Sequence, residues 1–322
     1  MGIAFDRERK TVGPSAVLPV VVALWGVLSA SRTVVATDVT TCGTTVAPGD
    51  TAVLVADLDC PTSSFAIRML PQSTLELNGH RIGGGDSTFA TVLGVARIDD
   101  EDPPEGGRGN FAIRGPGEIY GVSHAPILST GTQGCVALQD GRAEITSATG
   151  VVDIHDCVFG VVGYLLEYAT NKARATLDHV VLHDNGLEGV TVRKLSASNV
   201  ESYGNGGIGV HAINRMDAMN VFSHGNAVGL FATRAVRGGT IMATDNGIGV
   251  SSFGSIALTD VTVTGNDTFG VRARRVMLTG GTVTGNSSAD VASDRPPQLV
   301  SLTCGTSLQP DTNGSWGVCA DD

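Results

Sequence analysis

Residues 184–210 read DNGLEGVTVRKLSASNVESYGNGGIGV, and the phrase that opens this stretch returns at its end. The phrase is a small or acidic residue, an asparagine, a few mostly small residues, a glycine, and then Val or Leu. It recurs through the second half of the chain at steps of 20 or 21 residues, with Asp290 replacing the glycine in the last copy. The six asparagines are Asn185, Asn205, Asn226, Asn246, Asn266 and Asn286. A fixed period near 20 residues predicts a solenoid.

One repeat, residues 256–275, indicates how each copy folds. Its apolar residues Ile256, Leu258, Val261 and Val263 alternate with polar residues, which is typical of short half-buried strands. Turn-forming residues interrupt this alternation, and residues 176–291 have no helical period. A leucine-rich repeat can have the same length, but its leucine-dense signature is absent. We therefore predict an all-β parallel β-helix, with three short strands in each coil of about 20 residues.

The asparagines have a structural interpretation in such a fold. Identical positions of successive coils lie about 4.8 Å above one another. An asparagine repeated at one bend can therefore point inward and donate a hydrogen bond to the next amide, forming a ladder. Each satisfied buried amide contributes about 0.5–1.5 kcal/mol to folding. We expect the glycine of each phrase to permit a tight re-entry into the next strand.

These phrases resemble those of the right-handed parallel β-helix repeat proteins, the pectate-lyase-like superfamily. The segments Thr74 to Ile82 and Asn110 to Ile119 resemble first-coil phrases of the same group. The resemblance implies a right-handed solenoid, in agreement with the handedness rule for parallel crossovers. The catalytic motifs of polygalacturonases, pectate lyases and mannuronate epimerases are absent, so no catalytic residue is carried over from them.

Composition fits one elongated domain. The chain has 322 residues, 43 of them glycine, with only 5% aromatic residues and a formal net charge of −11. The negative charge argues against a nucleic-acid partner. We expect an N-terminal cap over residues 37–64, the β-helix over 65–298 and a C-terminal cap over 299–322. The sequence leaves the oligomeric state open.

The N-terminus predicts export from the cell. Arg7, Arg9 and Lys10 precede an apolar run from Ala16 to Leu28, which is typical of a secretory signal. Cleavage is expected after Ala30 or Ala36, so that residues 1–36 form the signal peptide. The run is short for a membrane span, which needs about 20 residues. The expected location is secreted, periplasmic or cell-surface; a retained anchor is the alternative.

Six cysteines follow this signal, and an even number in an exported chain indicates disulfides. Cys135 and Cys157 are about one coil apart, so their Cα atoms could approach within disulfide range at the ladder position. Pairs near each end would tie down the open edges of the solenoid. The expected pairs are Cys42–Cys60, Cys135–Cys157 and Cys304–Cys319, with zinc binding as the alternative.

The repeat register predicts which side chains point outward beside the ladder. Two residues before each ladder position lie His155, His183, Tyr203, His224, Thr244, Thr264 and Thr284. Two residues earlier lie Asp153, Val181, Glu201, Phe222, Met242, Thr262 and Thr282. Carboxylate, imidazole and phenol groups on neighbouring coils can perform general acid–base catalysis. The candidate catalytic residues are Glu201, His183, His224, Tyr203, Asp153 and His155; the alternative is a solvated face on which the histidines stack against Tyr203.

A second outward face follows the ladder in each coil. It carries the candidate substrate-binding residues Arg193, His211, Phe231, Arg272 and Arg274. Arginines with exposed aromatic rings suit an acidic sugar chain, through charge pairing and ring stacking. The same residues can equally be ordinary surface positions or cover for a loop. The segment Gly163 to Ala175 is an insertion relative to the 20-residue coil, and such a loop can form the wall of a groove.

An acidic run, Asp99-Asp100-Glu101-Asp102 with Glu105, can bind calcium through oxygen ligands. Neighbouring prolines and glycines favour a solvated loop instead. We therefore expect no cofactor and no metal site, with calcium as the alternative.

Two classes of function fit the sequence. The first is a secreted protein that binds a polysaccharide through the outward His/Tyr/Glu face and, as an enzyme, cleaves it as a lyase or glycoside hydrolase. The second is a non-catalytic surface or structural solenoid, such as an adhesin-like protein. The clustered ionisable residues favour the first class, and the missing catalytic motifs favour the second.

Overall fold

The structure is a computed structural model that describes residues 36–85, 90–94, 110–121, 134–138, 141–163 and 173–322. The predicted signal, up to residue 35, lies outside the described residues. So do the acidic run Asp99 to Glu105 and residues 164–172 of the predicted insertion. These predictions are therefore not addressed by the structure.

In the described ranges the regular secondary structure is entirely β-strand. The strands are β1 Ala36–Val39, β2 Thr44–Val46, β3 Thr51–Leu54, β4 Leu58–Cys60, β5 Phe65–Met69, β6 Thr74–Glu76, β7 Arg81–Gly84, β8 Ala90–Gly94, β9 Asn110–Tyr120, β10 Gly134–Leu138, β11 Arg142–His155, β12 Phe159–Gly163, β13 Arg174–His183, β14 Val190–Tyr203, β15 Ile208–His224, β16 Val228–Ala232, β17 Ala235–Thr244, β18 Ile248–Thr264, β19 Phe269–Thr284, β20 Ala289–Ser293, β21 Gln298–Cys304 and β22 Ser307–Leu308.

These strands form a parallel β-helix, as the repeat predicts. Strand β15, for example, pairs in parallel with β16 through Ile208–Ala212 and with β17 through Arg215–His224. One strand thus covers more than one side of a coil, because hydrogen bonding continues through the corner between Ala212 and Arg215. The fold prediction is confirmed, although several strands are longer than the three short strands expected for each coil.

The core is a stack of small aliphatic side chains inside the coils. Val200, Val221, Ile241 and Val261 lie one above another in the register, and none is more than 2% exposed. The narrow interior of a coil suits β-branched residues, which pack well on a pleated surface. This explains why so few aromatic residues are needed.

The asparagine ladder is confirmed. All six asparagines are at most 8% exposed. The Nδ2 group of each donates to Oδ1 of the next, at 2.8 Å from Asn185 to Asn205 and 2.9 Å from Asn205 to Asn226. The same Oδ1 atoms accept the backbone N–H of the preceding asparagine. The ladder ends at the buried carboxylate of Asp290, which accepts from Asn286 at 2.8 Å.

The glycine of each phrase is required for a different structural reason from the one expected. It does not adopt a left-handed conformation; instead it makes room for the ladder and for the backbone of the next coil. A Cβ atom on Gly209 would lie 2.8 Å from Nδ2 of Asn226, and one on Gly249 would lie 2.6 Å from the carbonyl oxygen of Gly270 and 2.9 Å from Nδ2 of Asn266. The left-handed residue is the one directly before each asparagine, such as Asp184 (φ 51°). Asp and Gly tolerate this conformation, which explains the small or acidic residue that opens the phrase.

All three predicted disulfides are confirmed. The bonded pairs Cys42–Cys60, Cys135–Cys157 and Cys304–Cys319 have Cα atoms 5.7, 5.6 and 5.1 Å apart.

The predicted position of one cysteine of the Cys135–Cys157 bridge was wrong. Cys157 occupies the ladder position, because its backbone N–H donates to Oδ1 of Asn185. Cys135 does not occupy that position of its own coil. It follows Gly134, which pairs with Phe159, so it lies in the strand after the bend. The bridge therefore joins a bend to the following strand of a neighbouring coil.

In the part of the chain that the structure describes, no helix is long and apolar enough to cross a membrane. Parallel pairing continues across the expected boundaries of both caps, from β1 to β22. The boundaries at residues 64/65 and 298/299 stay predictions.

Candidate functional site

Five aromatic side chains stack along one column of the β-helix, and we call this column the aromatic stack. They lie opposite one another in the register of successive coils. Neighbouring ring centroids are 5.9, 4.7, 4.8 and 5.1 Å apart, and neighbouring rings lie within 14° of parallel. The members in order are Tyr120, His155, His183, Tyr203 and His224. The stack thus places imidazole and phenol groups in one continuous row.

Carboxylates line the stack on two sides. Glu118 and Asp153 are register neighbours in the adjacent column, two residues before the stack in each coil. Nε2 of His155 lies 2.9 Å from Oε1 of Glu118, and its Nδ1 lies 3.0 Å from Oδ2 of Asp156. The side chain of His155 is only 15% exposed. Both ring nitrogens of His155 therefore face a carboxylate.

His183 repeats this arrangement one coil later. Its Nδ1 lies 2.8 Å from Oδ2 of Asp184, and its Nε2 lies 3.1 Å from Oδ1 of Asp153. That oxygen of Asp153 is buried and accepts no directed hydrogen bond within the described residues, so its contact with His183 is electrostatic. Further along, Nε2 of His224 lies 3.6 Å from Oε1 of Glu201.

The aspartates at Nδ1 arise from the turn chemistry of the repeat. Asp156 and Asp184 occupy the left-handed position before the ladder residue, with φ values of 54° and 51°. The same position is Gly204 beside Tyr203 and Gly225 beside His224. An aspartate thus stands at this position beside His155 and His183, where it contacts the ring.

Burial and the local charges shift the pKa values of a phenol and an imidazole in the stack. Burial raises the pKa of Tyr203, and the negative charges of Asp153, Asp184 and Glu201 raise it further. Burial acts to lower the pKa of His155, but its hydrogen bonds to Asp156 and Glu118 outweigh burial, so the pKa of His155 is raised. The phenol is therefore held neutral, and the His155 imidazole is biased toward its charged form.

The structure brings together all six residues predicted as catalytic: Glu201, His183, His224, Tyr203, Asp153 and His155. It adds Tyr120 and Glu118, which the sequence reading missed. The stack ends after His224, because the next positions in the column are Thr244 and Thr264. The catalytic roles themselves stay predictions.

The residues predicted to bind substrate divide between two hollows on the second face. Phe231, Arg272 and Arg274 line a groove of about 410 Å³ together with Phe253, which is 73% exposed. The rings of Phe231 and Phe253 meet edge to face at 5.2 Å. This groove offers two cations and an exposed ring, as a sugar-binding surface would.

His211 lies in a separate hollow of about 340 Å³. Its Nδ1 lies 3.2 Å from Oε2 of Glu188, so the histidine is already engaged within the protein. Arg193, on β14, is not among the residues that line either hollow.

A third feature was not foreseen, and we call it the cation column. Arg142, Arg174, Lys194 and Arg215 are register neighbours on four successive coils, and all four are exposed. Coils repeat at about 4.8 Å, so like charges lie close together. Arg215 pairs with Asp217 at 2.9 Å, whereas no ion pair of Arg174 or Lys194 occurs among the described residues. A groove of about 250 Å³ opens beside Arg142.

Comparison with known proteins bears on the fold. No family model matches the sequence, and no curated protein matches it. Among solved structures, the chain is similar to the A-module of the mannuronan C-5 epimerase AlgE4 from Azotobacter vinelandii. The TM-score is 0.54 at 18% identity, and the match covers 81% of this chain and 77% of that chain. A periplasmic alginate epimerase, AlgG, gives a TM-score of 0.39 at 11% identity, covering 80% and 78%.

At this level of identity, the similarity to the AlgE4 module shows a common fold. The resemblance to right-handed parallel β-helix proteins that the repeat predicts is thereby confirmed.

Proposed function

We propose that this protein binds an acidic polysaccharide on its cation column and removes a proton from it at the aromatic stack. The observation that carries the proposal is the row of imidazoles with carboxylates at their ring nitrogens, flanked by two phenols. An imidazole is the commonest general base in enzymes, and a phenol can return a proton. In this proposal His183 and His224 are the candidate bases, and Tyr203 is the candidate acid.

The carboxylates have a supporting role in the same scheme. Glu201 and Asp153 orient the imidazoles of His224 and His183 through their contacts at Nε2. His155 is not a candidate base, because directed hydrogen bonds to Asp156 and Glu118 occupy both of its ring nitrogens. Tyr203 retains its proton near neutral pH, since its pKa is raised.

The cation column supports an acidic polymer as the ligand. Stacked like charges repel one another, and of the four cations only Arg215 has an ion-pair partner among the described residues, so the column favours binding a polyanion. Arginine pairs well with carboxylates, in bidentate geometry. The column and the aromatic stack occupy neighbouring sides of the coil, joined by a corner at Asn199. A polymer that contacts both columns must therefore cross this corner.

Two further observations support the proposal. The fold is similar to that of a mannuronan C-5 epimerase module, which favours a uronate polymer as the substrate class. Three disulfides favour an exported protein, because such bonds persist in oxidising compartments. Export would place the protein where extracellular polysaccharides occur.

The test is a panel of acidic and neutral polysaccharides, each incubated with the full chain. Ultraviolet absorbance reports unsaturated ends, and a reducing-sugar assay reports all new ends. We expect turnover of an acidic polymer, and we expect Glu201→Gln to lower it by less than removal of a candidate base, because Glu201 only orients His224. Thr262→Ala, in the same column two coils beyond Phe222, is the matched control and should keep full activity. Reducing ends without absorbance would indicate hydrolysis instead. Absence both of new ends and of deuterium exchange next to the carboxylate, on every polymer tested, would refute the proposal.

A non-catalytic surface or structural solenoid is the second candidate. It is favoured by the observation that both ring nitrogens of His155 and His183 already face carboxylates. A stack whose ring nitrogens all contact carboxylates of the same protein would have a structural role only. Polysaccharide binding that is lost in Arg174→Glu, with no turnover of any polymer, would support this candidate.

A further inference from the structure

We propose that Asp153, His155 and His183 form a binding site for a divalent first-row transition metal, with zinc as the best-fitting ion. One ligand atom from each of these side chains lies within 4.8 Å of the other two. Two imidazoles and one carboxylate, with a further coordination position open, are a common ligand set for zinc and related ions. Oxygen-rich calcium sites have a different composition.

The orientation of the two rings supports this site. Nδ1 of His155 is held by Asp156 at 3.0 Å, and Nδ1 of His183 is held by Asp184 at 2.8 Å. A histidine that binds a metal almost always presents its other nitrogen to such a partner. Both rings therefore present Nε2 toward the column that contains Asp153.

Asp153 supplies a second, independent observation. Its Oδ1 is buried yet accepts no directed hydrogen bond within the described residues, although it lies 3.1 Å from Nε2 of His183. A buried carboxylate oxygen without a donor is costly. A metal ion bound between this oxygen and the imidazoles would satisfy it.

The three ligand atoms are near enough for small side-chain rotations to bring them around one ion. The stacked rings of His155 and His183 have centroids 4.7 Å apart. Ligand atoms of a tetrahedral zinc ion lie roughly 3.3 Å apart, given bonds of about 2.0–2.1 Å. The ligand atoms must therefore move closer by on the order of 1–2 Å, which rotation of the rings about their side-chain bonds can supply. His155 would exchange its contact with Glu118 for the metal, and Glu118 would be left near the open position.

The surrounding charge favours a dication. Glu118, Asp156, Asp184 and Glu201 all contact a histidine of the aromatic stack, in addition to Asp153. These carboxylates create a local excess of negative charge. Ion binding is measured without any sugar. An ion held by Nε2 of His183 would leave His224 as the candidate base of the proposed function.

The test is titration of the chelator-treated full chain with zinc in a calorimeter, followed by metal analysis after dialysis. We expect one zinc ion per chain. Asp153→Asn keeps the side-chain shape and should weaken binding at least 10-fold, as should His183→Ala. Loss of an outer partner, in Asp184→Asn, should weaken binding about 10–100-fold.

His224→Ala is the matched control, because His224 belongs to the same stack but lies outside the three ligands. It should retain zinc at wild-type affinity. Absence of zinc binding by the wild-type chain would overturn the proposal. Binding that survives both Asp153→Asn and His183→Ala would overturn it as well. Zinc binding without turnover of any polysaccharide would leave the metal site standing and count against the proposed function alone.

Discussion

The asparagine ladder and the aromatic stack are two columns of the same solenoid, each contributing one residue per coil. The ladder is uniform from Asn185 to Asn286 and is buried throughout. The stack is confined to the coils between Tyr120 and His224, beyond which the column becomes threonine. A uniform buried column accepts a backbone N–H in each coil that it spans. The aromatic stack is confined to a few coils and is partly exposed, so it brings imidazole and phenol groups together at one place. The ladder therefore has a structural role, and the stack is a candidate site.

The largest effect is expected when the stack is broken. His183→Ala removes a candidate base together with its contacts to Asp153 and Asp184. Polysaccharide turnover should fall about 10²–10⁴-fold, because general-base catalysis supplies a factor of that size. The free energy of unfolding should also fall, since this side chain is only 16% exposed and stacks between His155 and Tyr203, so turnover is measured under conditions where both proteins are folded. Thr264→Ala, in the same column on a later coil, should leave turnover unchanged.

Breaking the ladder should mainly lower the free energy of unfolding. Asn226→Ala removes the Oδ1 acceptor of the Asn205 backbone N–H and the Nδ2 donor to Asn246. We expect the free energy of unfolding to drop by about 2–4 kcal/mol, because each buried group left without a partner costs about 1–3 kcal/mol. Denaturant unfolding measures this change. Asn214→Ala, at a half-exposed position, is the control and should cost less than about 0.5 kcal/mol.

A third prediction concerns the cation column. Arg174→Glu replaces a cation with an anion in the middle of four stacked coils. Affinity for an acidic polysaccharide should fall about tenfold, since exposed charge pairs are worth up to about 1 kcal/mol each and the change reverses one. The difference between variant and wild type should shrink as salt is raised. The same charge reversal at exposed Arg295 should have no effect; equal losses would rule out a specific role for the column.

The smallest effect is expected at the C-terminal end. Asp322 accepts hydrogen bonds from Ser307 and from the N–H groups of Val318 and Cys319, at 2.6 to 2.7 Å. Burial acts against the charged form, but these bonds outweigh it and lower the pKa of Asp322 to about 2. The folded pKa lies below the usual aspartate value of 3.8, so the stabilisation is present above about pH 4 and is lost as pH falls through about 2.

Thermal melting between pH 5 and pH 2 measures this loss. Asp322→Asn should lower the melting temperature slightly at pH 5 and show a smaller further decrease on acidification than wild type. Parallel pH curves for the two proteins would contradict the assignment.

The fold could be predicted because its signal is periodic. The spacing of the asparagines specifies the coil, and the coil specifies which side chains share a column. This is why His155, His183, Tyr203 and His224 could be aligned without a structure. The cysteines at the two ends could be paired for a similar reason, since each pair is close in sequence.

Some features were missed because the 20-residue spacing is interrupted near them, and others because their strands were not aligned. Tyr120 and Glu118 precede residues 122–133 and 139–140, so their distance from His155 along the chain is not one coil. The cation column was missed because only the strands next to the ladder were aligned. The His–Asp contacts at Nδ1 were missed because the acidic residue that opens the phrase was treated only as part of the repeat. Asp156 and Asp184 occupy the left-handed turn position and also contact a histidine.

The most direct test of the central claim is proton exchange at the aromatic stack. A uronate polysaccharide is incubated with the full chain in D₂O, and deuterium at the carbon next to each carboxylate is followed by nuclear magnetic resonance. The account predicts incorporation by the wild type and by Thr264→Ala, and its loss in His183→Ala. Neither deuterium incorporation nor unsaturated ends with any acidic polymer that the protein binds would contradict it, and the stack would then be part of the surface structure only.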